Sequence, residues 1–134
     1  MRARAAAVVL LASIAGIATA HAQPAVQCSG AQKPWVVADL LFGRTHVSEA
    51  NWARFLATEV TPRFPDGFTV IDANGQWRNP KGQKISRERS KLLMIAKPPG
   101  ADNDERLQKI IEVYKTRFKQ QSVGLIIRPA CVSF

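Results

Sequence analysis

A chain of 134 residues is the size of one ordinary globular domain, and it contains no solenoid-type repeat and no low-complexity tract. It carries 19 Lys and Arg against 10 Asp and Glu, a formal net charge of +9, which favours anionic partners. With two histidines and two cysteines it lacks the convergent ligands that a metal centre needs, and no H-x-x-x-H pair or close cysteine pair is present.

The N-terminus has Arg2 and Arg4, an apolar run from Ala5 to about Ala18, and two A-x-A patterns, Ala18-Thr19-Ala20 and Ala20-His21-Ala22. Residues 1–22 therefore read as a secretory signal peptide, too short and too alanine-rich for a membrane span. Its removal would lower the net charge from +9 to +7, through loss of Arg2 and Arg4, and leave no membrane span. The residue before Cys28 is Gln27, not the small residue a lipid-modified cysteine requires, so a soluble exported protein is expected, periplasmic or secreted. Residues 23–35 are polar and proline-punctuated, a tether, and residues 36–134 form the single domain. Cys28 and Cys131 sit near the two ends of that chain, and in an oxidising compartment they are expected to form a disulfide.

Val36 to Phe42 alternates as a strand, with Ala38, Leu40 and Phe42 on one face and Val37, Asp39 and Leu41 on the other. Ser48 caps the first helix, Val47 and Trp52 form a hydrophobic staple, and Trp52, Phe55, Leu56 and Val60 make its apolar stripe. Pro62 ends this helix, and Pro65-Asp66-Gly67 turns the chain into a second strand from Phe68. That strand runs into a long hairpin, closed either at Asn74-Gly75 or at Asn79-Pro80-Lys81-Gly82. The second is preferred, with Gly75 then marking a bulge. Leu92 to Ala96 ends the third strand, apolar on both faces. Asp102 with Glu105 resembles a capping box for the second helix, whose stripe is Leu107, Ile110, Ile111, Tyr114 and Phe118. Val123 to Arg128 is the last strand.

The order βαββαβ, with right-handed crossovers, predicts an α+β fold: a ferredoxin-like plait, a four-stranded antiparallel sheet with two helices on one face. Two helices cover only one face of a sheet whose strands are apolar on both. A second subunit, or the tether and the C-terminal tail, is therefore expected on the other.

The motifs Phe42-Gly43-Arg44, Thr-Pro-Arg-Phe-Pro-Asp-Gly from Thr61, Gly75-Gln76-Trp77-Arg78 and the closing Pro-Ala-Cys-Val-Ser-Phe resemble a family of small exported bacterial proteins known only as a domain of unknown function. The resemblance covers nearly all of residues 36–134. It implies an exported single-domain protein and supplies no activity, cofactor or catalytic residue. The plait topology is also similar to that of dimeric α+β barrel proteins, a likeness of fold.

No nucleophile motif, phosphate loop or dinucleotide fingerprint is present. The polar constellation that stands out is Arg44, His46, Arg63, Asp72, Trp77 and Arg78: arginine forks suit carboxylates and phosphates, and an indole supplies a flat wall. The bland alternative is that Trp77 is core and the arginines pair with local acids. Residues 78–97 add a second basic feature, Arg78, Lys81, Lys84, Arg87, Arg89, Lys91 and Lys97 against Glu88. It is either an anion-attracting face or a guard against edge-to-edge aggregation. Export and the scarcity of interleaved aromatics argue against nucleic acid. Two functions follow. The first is a non-enzymatic binding module, monomeric or a homodimer through the open sheet face, for a small anionic ligand or envelope component. The alternative is a small enzyme of the dimeric α+β barrel type with a pocket between sheet and helices. No cofactor or metal is expected.

Overall fold

The computed structural model describes residues 26–78, 82 and 84–134. The expected signal peptide and most of the expected Asn79–Gly82 turn lie outside the described residues. In chain order the elements are β1 (Lys33–Gly43), α1 (Glu49–Phe55), a π-helical continuation (Leu56–Val60), β2 (Thr69–Arg78), β3 (Ile85–Lys97), α2 (Ala101–Phe118) and β4 (Gly124–Val132). All pairs are antiparallel, in the order β2-β3-β1-β4, and both helices pack on one face, the ferredoxin-like α+β plait.

The first helix forms as its residues dictate. Ser48 is extended (φ −72°, ψ 161°) and its hydroxyl accepts from the Asn51 N–H at 3.2 Å. Val47 and Trp52 are both buried, so the staple is made. The last turn widens: the Thr61 N–H bonds the Leu56 carbonyl, five residues back, at 2.9 Å. This keeps Val60 in the core before Pro62 ends the helix.

Ala38, Leu40 and Phe42 of β1, Leu93 and Ile95 of β3, and Leu107, Ile110 and Tyr114 of α2 form the core with α1. Phe42 is at its centre. Its ring lies 4.6 Å from that of Tyr114, 5.3 Å from Trp52 and 5.9 Å from Phe55, all edge-on. Such pairs contribute about 0.5–1.5 kcal/mol each beyond area burial. The Tyr114 hydroxyl escapes the penalty of burial by donating to the Gly43 carbonyl at 2.7 Å, tying α2 to the end of β1.

Three local expectations are corrected. Gly75 is not a bulge, because the β2–β3 register runs one to one from Thr69–Met94 to Arg78–Ile85. A side chain there would meet the Ser90 hydroxyl at 2.5 Å, so close approach, not an extra residue, explains the glycine. Asp102 does not cap α2. Gly100 does so without a side chain, at φ 147°, a geometry that favours glycine. Asp102 and Asp104 instead sit inside the first turn, where the helix dipole favours them. Finally, β1 begins inside the stretch read as tether, and β4 runs through Pro129 to Val132. A proline is tolerated there because β4 is an outer strand.

The longer β1 and β4 place Pro34 opposite Cys131, and the Cys28–Cys131 disulfide (Cα–Cα 5.4 Å) pins residues 26–32 to the end of β4. Among the described residues the sheet face away from the helices stays open. Across the strands it carries a row of Ile71, Leu92, Leu41 and Gly124, and beside it a row of Thr69, Met94, Asp39 and Ile126. The C-terminal Phe134 ring lies 5.8 Å from that of Trp35, yet Leu41, Ile71 and Ile126 remain 44%, 47% and 50% exposed.

Candidate functional site

The loop from Gly43 to Ser48 is short and heavily anchored. The Arg44 N–H bonds the Arg89 carbonyl at 2.9 Å, and the Val47 N–H bonds the Arg44 carbonyl at 3.1 Å. The Glu88 carboxylate accepts from the backbone N–H and the hydroxyl of Thr45. It reaches them by lying directly over Gly43, where a Cβ would come within 2.5 Å of its oxygen. From the other side the Gln120 amide donates to the Thr45 carbonyl at 3.1 Å. Arg44 is 4% exposed, and its guanidinium is held by Glu49 and the Val47 carbonyl. These bonds hold His46 in the left-handed region, at φ 63°.

His46 faces a cleft of about 620 Å³ between α1 and the C-terminal end of α2, lined also by Arg54, Thr58, Glu59, Arg117 and Lys119. Lys119 ends α2 at φ 52°, a position usually filled by glycine or asparagine. Among the described residues, His46 and Lys119 are the two non-glycine residues with positive φ, and both line this one cleft. Left-handed geometry costs an ordinary residue about 1–2 kcal/mol, and such strain concentrates at functional sites. Arg117 binds the Glu59 carboxylate and sits 5.9 Å over the Phe55 ring, so its charge is locally offset. Arg54 and Lys119 have no acidic partner among the described residues.

The structure divides the constellation read from the sequence. Arg44 holds the loop that presents His46. Arg63 reaches the cleft indirectly, because it shares Glu59 with Arg117 at 3.0 Å. Asp72 joins Arg44 through a chain of ion pairs, Asp72–Lys91–Glu49–Arg44. Trp77 is 37% exposed on the open sheet face, opposite the one that carries Asp72, and Arg78 is the exposed end of β2. The six do not share one pocket. The basic stretch from 78 to 97 is also less of a surface than its sequence suggests. Lys91 and Lys97 are buried, the latter bound to Asp104 at 2.7 Å. Arg54 carried no signal in the sequence, while Lys115, Arg117 and Lys119 gather at the C-terminal end of the second helix, where their charge complements its dipole without pointing to a site.

The ionisable groups of these networks are shifted toward their resting charge. The hydrogen bond from Arg44, helped by Lys91, lowers Glu49 below 4.5. Burial pushes Glu59 up, but Arg117 and Arg63 together outweigh it and the carboxyl ends below 4.5. The hydrogen bond to Asp72 outweighs desolvation and, with Glu49, raises Lys91 above 10.5. Burial pushes the Tyr114 phenol up from 10.0. For the two glutamates the unfolded chain binds more protons at acid pH. Their contribution is thus present above pH 4.5 and lost as the pH falls through the lowered values. For Lys91 and Tyr114 the folded chain holds the proton longer, so their contribution is present below about pH 10 and lost above it. Urea unfolding across pH is expected to show a plateau bounded on both sides, and the Glu49→Gln, Glu59→Gln double variant should flatten the acid limb. An acid limb unchanged in that variant would show these pairs to be inert.

The fold and this site define a small α+β plait with an electropositive cleft at one end. The chain belongs to the family described as "Protein of unknown function (DUF3574)", which matches residues 38–134. No curated protein matches the chain. Among solved structures it is similar to a phage SAM lyase in complex with S-methyl-5′-thioadenosine, with a TM-score of 0.58 and 15% identity over 84% of this chain and 97% of that one. A phage SAM lyase in the apo state matches with a TM-score of 0.56 and 13% identity, covering 81% of this chain and 92% of that one. CutA from Synechococcus elongatus, complexed with Bis-Tris, matches with a TM-score of 0.51 and 11% identity over 76% and 87% of the two chains. At these identities the likeness is one of fold.

Proposed function

We propose that this is an exported, non-enzymatic binding module that captures a small anion in the cleft between α1 and the end of α2. One observation carries the reading: His46 and Lys119, both with left-handed backbone, line the same cleft beside Arg54, which has no acidic partner among the described residues. Arg44 and Arg63 support it from beneath, the first by holding the His46 loop and the second through Glu59. Within the cleft, Arg117 and Arg63 outweigh the burial of Glu59 and hold it in its charged form, a fixed partner for Arg117. The disulfide suits an oxidising compartment, and no helix among the described residues is long and apolar enough to cross a membrane.

Titration with citrate and, separately, with inorganic phosphate, followed by amide chemical shifts, tests the reading. The shifts are expected at His46, Arg54 and Lys119, and should weaken with added salt. The Arg54→Ala, Lys119→Ala double variant should bind at least about tenfold more weakly, the loss of two charge-assisted contacts. Shifts confined to Trp77 and Arg78, or no saturable shift with either anion, would overturn it.

A further inference from the structure

We propose that a second copy of this chain covers the open sheet face, the two sheets packing face to face about a two-fold axis. Four strands spaced about 4.8 Å apart, paired over some nine residues, present a plan area of roughly 600 Å². The accessible area of such a corrugated face approaches the roughly 800 Å² per partner of a stable interface. Its middle is apolar: Ile71, Leu92 and Leu41 follow one another across β2, β3 and β1 to Gly124, and Ile126 lies two residues further along β4. A contiguous apolar patch of this extent is unfavourable in water.

The polar group set within it supports a protein partner and a unique register. Asp39 lies mid-face, bracketed on β1 by Val37 and Leu41 and across the strands by Met94 and Ile126. It is 8% exposed, and one carboxylate oxygen is bound by Arg128. The other, Oδ1, has no partner among the described residues. Oδ1 is sealed from solvent, so the charge within reach of a partner is that of the Arg128 pair at Oδ2. Arg128 comes from the same face, half exposed, with guanidinium donors to spare. In an isologous pair each Arg128 reaches the other copy's Asp39 as well as its own, and a one-residue slip would lose both. The surface is self-complementary in charge as well as in apolarity, which a lipid surface would not match.

The test is the molar mass, by size-exclusion chromatography with light scattering, of the protein recovered from an exporting bacterial host, at about 100 μM, well above a micromolar Kd. A dimer is expected. Ile71→Asp and Ile126→Asp should each raise the dimer Kd at least about tenfold with an unchanged far-UV circular dichroism spectrum. Trp77→Ser, at the rim of the same face, serves if either aspartate variant does not fold. Asp39→Asn, which keeps the shape and removes the charge, should raise Kd by about tenfold or more. A monomer at that concentration, a ring of three, or a dimer indifferent to all the face substitutions overturns the proposal. A dimer weakened by the apolar variants but not by Asp39→Asn overturns the shared ion pair.

Discussion

Replacing Cys28 and Cys131 together by serine is expected to lower the folding free energy by about 4–5 kcal/mol in the chain-entropy account. The bridge closes a loop with a sequence separation of 103 residues, nearly the whole described domain. Without it the unfolded chain regains the freedom that the crosslink removed. The native state offers little resistance to that loss, because the bridge joins a segment with few contacts of its own to an outer strand. The N-terminal stretch before β1 is held by the sulfur and a turn bond from Gln32 to Ser29, and β4 pairs only with β1. Equilibrium unfolding in urea, with the oxidised wild type as reference, checks this. The midpoint should fall by about 3 M for a chain of this size. A loss under about 1 kcal/mol would mean that the two strands hold their pairing unaided and that the bridge is a secondary clasp.

Phe42→Ala is the single substitution expected to cost most, about 3–5 kcal/mol. Phe42 has no exposed surface and touches Trp52, Phe55 and Tyr114 ring to ring. The cavity left behind cannot collapse easily. Its walls are aromatic rings on two different helices, and one of them, Tyr114, is fixed by its hydrogen bond to Gly43. The effect should reach the cleft as well, since the loop holding His46 begins one residue beyond Phe42. The measurement is a urea midpoint shift at constant m, with the His46 ring signals followed in the same samples. A cost under about 1.5 kcal/mol, or a midpoint shift with a changed m, would show that the core repacks around the gap.

Much of the local structure was legible. Ser48, Val47 and Trp52 announced the first helix because capping and stapling act over four or five residues. The alternation in β1 told which side chains would be buried, because the period of a strand is two. Asp39 is the exception that alternation could not interpret. It was placed on the face away from Phe42, as the structure has it, but its burial and its pairing with Arg128 depend on β4 arriving beside β1. Gly75 misled because a glycine in a strand has two meanings, a bulge or a close approach. Only the position of Ser90 on the neighbouring strand decides between them. The capping box at Asp102 misled for a related reason: Gly100 already supplies the backbone geometry at the helix start.

The elements, their order and hence the plait follow from local signals, since periodicity, caps and prolines act within one turn or one strand, and the handedness of crossovers leaves few ways to join them. The sequence also singled out the two cysteines that close the domain. Which charges are paired depends on how the elements pack together. Lys91 and Lys97 looked like solvent-facing cations and are bound in ion pairs, while Arg54 and Lys119, separated by most of the domain, meet at one cleft beside His46. Charge pairing is a matter of distances of a few ångströms between residues far apart in the chain, and those distances are set by strand register and helix packing.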